Sequence, residues 1–168
     1  GTKFNGVYDG DGYSILNYST TVSFGTSEYV GLFGYNQGII KNLNVLQADI
    51  DLLLGKYVGL LCGRNNGTLE NCGVAGQIEC GDGSSYIGGL CGYSYNASVY
   101  FCSSEGSVSC GNTTSYVGGF IGRVRTYAYK NTKNSYVENS LSQVSLTVGS
   151  DSSYTGGFSG MIDCYGYG

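Results

Sequence analysis

Tyr86-Ile-Gly-Gly-Leu-Cys-Gly92 decides the fold, because the chain repeats its pattern. The other copies are Tyr29-Val-Gly-Leu-Phe-Gly34, Tyr57-Val-Gly-Leu-Leu-Cys-Gly63, Tyr116-Val-Gly-Gly-Phe-Ile-Gly122 and Tyr154-Thr-Gly-Gly-Phe-Ser-Gly160. The closing glycines fall at 34, 63, 92, 122 and 160, in steps of 29, 29, 30 and 38 residues. A fixed period of this length marks units that cannot bury an apolar face alone and must stack on their neighbours.

Inside a unit the residues alternate between strand formers and turn formers. From Tyr57 the reading is a strand to Cys62 and a turn over 63–67. A second strand covers 68–74, a short third covers 77–80, and a turn follows at Gly81-Asp-Gly-Ser-Ser85. Asn-Gly and Asp-Gly are turn chemistry, because both partners tolerate positive φ. The strands are β-branched and aromatic, and no segment has helical periodicity. With two or three short strands each, the units stack as coils with parallel, in-register ladders about 4.8 Å apart. The spacing predicts five to six coils of about 29 residues in one all-β domain over 1–168. Residues 1–28 form an opening coil, 29–56, 57–85, 86–115 and 116–153 the repeats, and 154–168 an incomplete last coil.

Stacking predicts columns of like residues. Tyr29, Tyr57, Tyr86, Tyr116 and Tyr154 form an aromatic column of structural use. Gly31, Gly59, Gly88, Gly118 and Gly156 form a groove where backbone approaches backbone. Asn42 and Asn71 share a position and predict an amide ladder.

Composition narrows the function. The 168 residues include 30 Gly, 17 Tyr and 7 Cys, with no Pro, His or Trp. Charged residues are 12%, and the net charge is −4. A weakly charged surface of Ser, Thr, Asn and Tyr suits packing against its own kind or against glycans. It lacks the basic stripe that neutralises nucleic-acid phosphates. No apolar run approaches the ~18 residues of a membrane span. The chain opens on Gly without a charged-then-apolar leader, and reads as a processed chain or an excerpt of a longer one.

Six cysteines fall at equivalent places in successive units: Cys62 with Cys91, Cys72 with Cys102, and Cys80 with Cys110. In-register stacking brings Cα atoms of such pairs about 4.8 Å apart, inside the disulfide range. Cys80–Cys110 is the leading bridge expected. The same-coil pairs Cys62–Cys72 and Cys91–Cys102 are the alternative. Cys164 has no equivalent and is expected to be a free or intermolecular thiol.

The stretch Gly59-Leu-Leu-Cys-Gly-Arg-Asn-Asn-Gly-Thr-Leu-Glu-Asn-Cys-Gly-Val-Ala-Gly-Gln-Ile78 resembles the GLUG repeat of surface-exposed and secreted proteins, as does Gly31-Leu-Phe-Gly-Tyr-Asn-Gln-Gly-Ile-Ile-Lys-Asn-Leu-Asn-Val45. Phe4-Asn-Gly-Val-Tyr-Asp-Gly-Asp-Gly-Tyr-Ser-Ile15 resembles the strand that precedes such repeats and opens many right-handed parallel β-helices. The resemblance implies a right-handed parallel β-solenoid in an adhesin, stalk or cell-surface setting. It implies no catalytic residue, metal or cofactor.

The candidate chemistry is sparse. Asp9-Gly-Asp11-Gly reads as an ordinary turn ahead of a calcium site, since further acidic ligands are missing nearby. Asp49 and Asp51 do not recur as a carboxylate ladder, and without His a general base near neutral pH requires a strongly shifted carboxylate. The segment 123–133 carries Arg123, Arg125, Lys130 and Lys133 where the fourth repeat is eight or nine residues longer than the others, and is expected to be a projecting contact loop. Asn17, Asn66, Asn96 and Asn112 open N-x-S/T sequons, candidates for glycosylation on surface turns.

The expectation is an extracellular structural protein whose stacked coils join copies of themselves head to tail, or further repeats of a longer chain. The rival is an adhesin or glycan-binding module that uses the Tyr and Asn columns. Neither end shows a polar capping unit, which solenoids normally need.

Overall fold

Each repeat becomes one turn of a three-sided coil. The computed structural model describes residues 2–128 and 134–166. Strands β1 (Val7–Asp9), β2 (Ser14–Leu16) and β3 (Ser19–Val22) open the chain. The first full turn is β4 (Ser27–Val30), β5 (Phe33–Asn36) and β6 (Ile39–Leu52). The second is β7 (Gly55–Val58), β8 (Cys62–Asn65) and β9 (Thr68–Cys80). The third is β10 (Ser85–Gly88), β11 (Cys91–Tyr95), β12 (Ser98–Tyr100) and β13 (Ser103–Cys110). The fourth is β14 (Ser115–Gly118), β15 (Ile121–Ala128), β16 (Tyr136–Glu138) and β17 (Leu141–Val148). Strands β18 (Ser153–Gly156) and β19 (Ser159–Gly166) follow.

Each side of the coil is a parallel sheet. The first side orders as β4-β7-β10-β14-β18 and the second as β5-β8-β11-β15-β19. On the long third side β6 takes β1, β2 and β3 below and β9 above, and β12–β13 and then β16–β17 continue the stack. The coil is therefore a β-solenoid of about four complete turns, where the spacing predicts five to six. The opening segment contributes strands only to the third side, with Phe4 bridging Asn36 on the second, and the last segment only to the first two, so these two are partial turns.

The register explains the like-on-like columns. Val58, Ile87 and Val117 are direct partners on the first side. Cys62, Cys91 and Ile121 stack on the second. Ile50, Ile78, Val108 and Leu146 stack on the third. Their side chains meet in one core, in which Ile50, Val58, Cys62, Ile87, Cys91 and Val117 are fully buried. Completely burying such a side chain is worth about 1.5–3 kcal/mol, and every turn supplies several.

Strand boundaries depart from the sequence reading. The stretch from Tyr57 to Cys62 is interrupted at Gly59, where the chain turns the corner between the first and second sides. Gly63, Arg64 and Asn65 are strand rather than turn, and β9 runs unbroken through Ala75-Gly76. Ladders on both neighbours hold these residues extended, which overrides their local turn preference.

Candidate functional site

The outer face at the first corner repeats one side chain turn after turn. Tyr29, Tyr57, Tyr86, Tyr116 and Tyr154 stack ring on ring, with centroids 5.0, 4.7, 4.7 and 4.8 Å apart and interplanar angles of 8, 20, 7 and 2°. All five have φ between 56 and 60°. The left-handed region costs a bulky residue on the order of 1–2 kcal/mol. Each aromatic pair returns about 0.5–1.5 kcal/mol beyond its burial. The turn and the stack thus nearly offset one another, coil by coil. Because the ring faces cover each other, only edges and hydroxyls point outward, which leaves no open aromatic face for a sugar ring except at the ends of the column. Burial raises the Tyr57 phenol above its ordinary pKa, so its hydroxyl is a neutral donor at physiological pH.

The glycine column two residues on makes the corner possible. A Cβ at Gly59 lands 2.6 Å from Cys91 Cα, and one at Gly88 or Gly118 strikes the carbonyl oxygen of Cys91 or Ile121. The close approach expected of this column is therefore present at each full turn.

Beside the tyrosines, Tyr35, Arg64, Tyr93 and Arg123 are successive register partners on the second side. The Arg64 guanidinium lies 4.8 Å from the Tyr35 ring, 5.3 Å from Tyr93 and 5.8 Å from Tyr95. Its Nε donates to Asn66 Oδ1 at 2.9 Å. Arg123 instead meets a carboxylate in bidentate fashion: Nε to Asp163 Oδ1 at 2.9 Å and Nη2 to Oδ2 at 2.8 Å. The two side chains are 10% and 9% exposed, and Asp163 pushes the guanidinium further above its already high pKa. Arg125 Nε lies 3.5 Å from the same carboxylate. Arg123 and Arg125 therefore sit on β15 and are tied to the next coil, where the sequence suggests a projecting loop. Lys130 and Lys133 lie outside the described residues.

Two amide ladders run up the molecule. Asn71 Nδ2 donates to Asn42 Oδ1 at 2.8 Å, as the shared position predicts, and Asn42 donates on to Asp9 at 3.0 Å. Both asparagines have left-handed φ, 53 and 50°, which this residue type tolerates. The second ladder, Asn36 Nδ2 to Asn65 Oδ1 at 2.9 Å, is fully buried. Sequence reasoning passed over it, although each of the two asparagines stands two residues before a glycine and they lie 29 residues apart.

The cysteine ladders are in place as thiols. Cys62 pairs in register with Cys91, and Cys80 with Cys110. Cys72 and Cys102 face each other, and all six are buried. The same-coil alternatives stand apart, with Cys62 on the second side and Cys72 on the third. Burial, aided by its neighbour Cys62, pushes the Cys91 thiol up, while hydrogen bonding to Cys110 and burial raise Cys80. Cys164 is exposed.

Asp9 caps its own turn, accepting from Asp11 N–H at 3.0 Å, and pairs with Lys41 at 3.1 Å. Among the described residues no three of His, Cys, Asp and Glu gather as a metal site. Among the described residues no helix is long and apolar enough to cross a membrane.

Comparison with known proteins agrees with this architecture. Residues 83–109 match the family described as the GLUG motif. Over 98 residues the chain is 37% identical to halomucin of Haloquadratum walsbyi, a match that covers 57% of this chain. It spans only 1% of the length of that relative. No solved structure matches the chain. With Tyr86 to Ser109 building most of its third turn from the matched stretch, the chain is a β-solenoid that carries the GLUG motif.

Proposed function

We propose that this chain is a structural segment of a surface or extracellular protein, a rigid β-solenoid that acts by stacking rather than by catalysis. The carrying observation is the tyrosine column, in which every described turn repeats one strained, stacked corner. Such a repeated geometry serves axial continuity. The GLUG match and the likeness to halomucin support the surface setting.

The finer reading is a head-to-tail filament. Among the described residues β1, β2 and β3 pair on one flank only, as do β18 and β19. The last layers expose Leu141 (54%), Tyr154 (51%) and Ile162 (64%). Unpaired strand edges recruit further strands. Those strands come from more coils of one chain or from a second copy. Sedimentation velocity across a concentration series, with electron microscopy of the same samples, tests this. Rods that lengthen with concentration support self-stacking. Isolated particles at every concentration exclude it and leave the surface-segment reading.

A glycan-binding module is the second reading. It draws on Arg64, which has three tyrosine rings around it and no carboxylate partner among the described residues. Retention of the wild type but not of Arg64→Ala on an acidic polysaccharide column favours it.

A further inference from the structure

The four sequons are chemically alike and structurally unlike. Asn66 Oδ1 holds Arg64 Nε, and its sequon is stitched to both neighbouring coils. Asn66 N–H donates to the Asn36 carbonyl at 2.8 Å, and the Gly67 carbonyl accepts from Ser98 at 3.0 Å. Asn96 brackets Tyr127 at two points: Nδ2 donates to the carbonyl at 3.2 Å and Oδ1 accepts the N–H at 2.7 Å. Ala97, the middle of that sequon, is buried. Asn112 Oδ1 accepts from Ser150 N–H at 2.9 Å and from its hydroxyl at 3.1 Å. Thr114, which completes that sequon, is buried with its hydroxyl 3.0 Å from Ser152 Oγ.

Asn17 differs in its side chain. Like Asn112 it is exposed and like Asn96 it has a positive φ, here 58°, and the break it makes between β2 and β3 turns it out of the ladder. Its backbone N–H donates to the Leu46 carbonyl at 3.1 Å, and its side-chain amide makes no hydrogen bond among the described residues. Ser19, which completes the sequon, is exposed as well. Among the described residues β2 and β3 pair with β6 alone, so the segment can leave the sheet at the cost of one ladder. Next to it Leu16, 55% exposed, is the register partner of the half-buried Leu46. This apolar strip is one that the carbon face of a first sugar can cover.

We propose that Asn17 is an N-glycosylation site of this solenoid. The step is group transfer from a lipid-linked oligosaccharide phosphate donor by an oligosaccharyltransferase. Asn17 Nδ2 forms a bond to the anomeric carbon and gives up one proton to the enzyme. The bond from that carbon to the phosphate oxygen breaks, and its electron pair leaves with the phosphate. The glycan then projects from the third side, away from the tyrosine corner, and leaves the stacking surfaces free. The assignment rests on the surface reading above, because the donor is used outside the cytoplasm.

The test is to secrete the chain from a host that performs N-glycosylation and map occupancy by peptide mass after enzymatic release in heavy-oxygen water. Asn17 is expected to carry most of the glycan. Ser19→Ala, which keeps the amide and its backbone, is expected to lose that glycan while the melting temperature of the deglycosylated protein stays unchanged. Occupancy at Asn66, Asn96 or Asn112 equal to or above that at Asn17, or no glycan at any site, overturns the proposal. The host supplies the compartment, so this outcome is independent of where the chain resides natively. Surface labelling of intact native cells tests that residence separately.

Discussion

The corner between the first and second sides and the outward face of the third side obey different rules. At the corner each turn repeats the residue itself: tyrosine at 29, 57, 86, 116 and 154, and glycine two places on. On the third side one outward column reads Asp9, Lys41, Glu70, Tyr100, Glu138. The corner is constrained by backbone against backbone, where a single Cβ has nowhere to go. The outward column is constrained only by strand geometry and charge balance, so any residue that extends will serve. A residue-exact repeat therefore marks the place where the fold has least freedom.

The sharpest way to break this contrast is Gly88→Val. The new Cβ collides with the Cys91 carbonyl oxygen and sits 2.8 Å from Ile121 Cα. Overpacking and backbone strain together are expected to cost on the order of 4 kcal/mol, read from denaturant melts. Gly157→Val is the control, because a Cβ there meets nothing within 4 Å. If the two variants melt alike, close approach is not what fixes the glycines.

The second test is Asp163→Ala. It strands Arg123 and Arg125, two cations that share one nearly buried carboxylate. Removing one partner of a buried pair costs about 3 kcal/mol. Because a solenoid loses stability turn by turn, the loss is expected first as faster amide exchange in β19 and β15, with β8 protected. Uniform acceleration along the chain argues that the pair is not a local tie.

The third test sets the cysteines of the corner against those of the third side. In-register stacking keeps paired Cβ atoms near the ~4.8 Å strand spacing, beyond the ~3.5–4.5 Å of a disulfide. A bridge therefore needs a small backbone shift. Cys62 and Cys91 are fully buried at the packed corner. Cys80 and Cys110 are 6% and 5% exposed, at the ends of β9 and β13 on the third side. Graded oxidation followed by non-reducing peptide mapping is expected to bridge Cys80–Cys110 first and Cys62–Cys91 last. The opposite order refutes the rigid corner.

What was legible in the sequence follows the same division. The 29-residue steps gave the coil, the tyrosine stack, the glycine groove and the Asn42–Asn71 ladder, because each depends on like residues in register. Spacing did not reveal that a turn has three sides, so partial turns were counted as coils. It did not join Arg123 to Asp163 either. They sit 40 residues apart, because the longer fourth repeat adds to the step and the pair is offset by two positions. The Asn36–Asn65 ladder was overlooked because buried amides look, in sequence, like turn residues. Burial is decided by the corner that follows them.

The smallest effect expected lies on the third side and concerns pH. Asp9 is held at about 2, below the ordinary 3.8, first by the hydrogen bond from Asn42, then by Asp11 N–H and Lys41. The unfolded chain has no such partners, so it binds the proton more tightly than the folded one. The contribution of Asp9 is therefore complete above about pH 4 and lost as pH falls toward 2. Asp9 is exposed, so the global melt should barely register the loss. Local amide exchange should: β1 is expected to loosen between pH 4 and 2, while β10 and β14, which contain no carboxylate, hold. Asp9→Asn keeps a hydrogen-bond acceptor but cannot titrate, and should remove the step in β1. If β1 still loosens in that variant, the acid sensitivity belongs to another carboxylate, and the outward column is more tightly coupled to the corner than its variability implies.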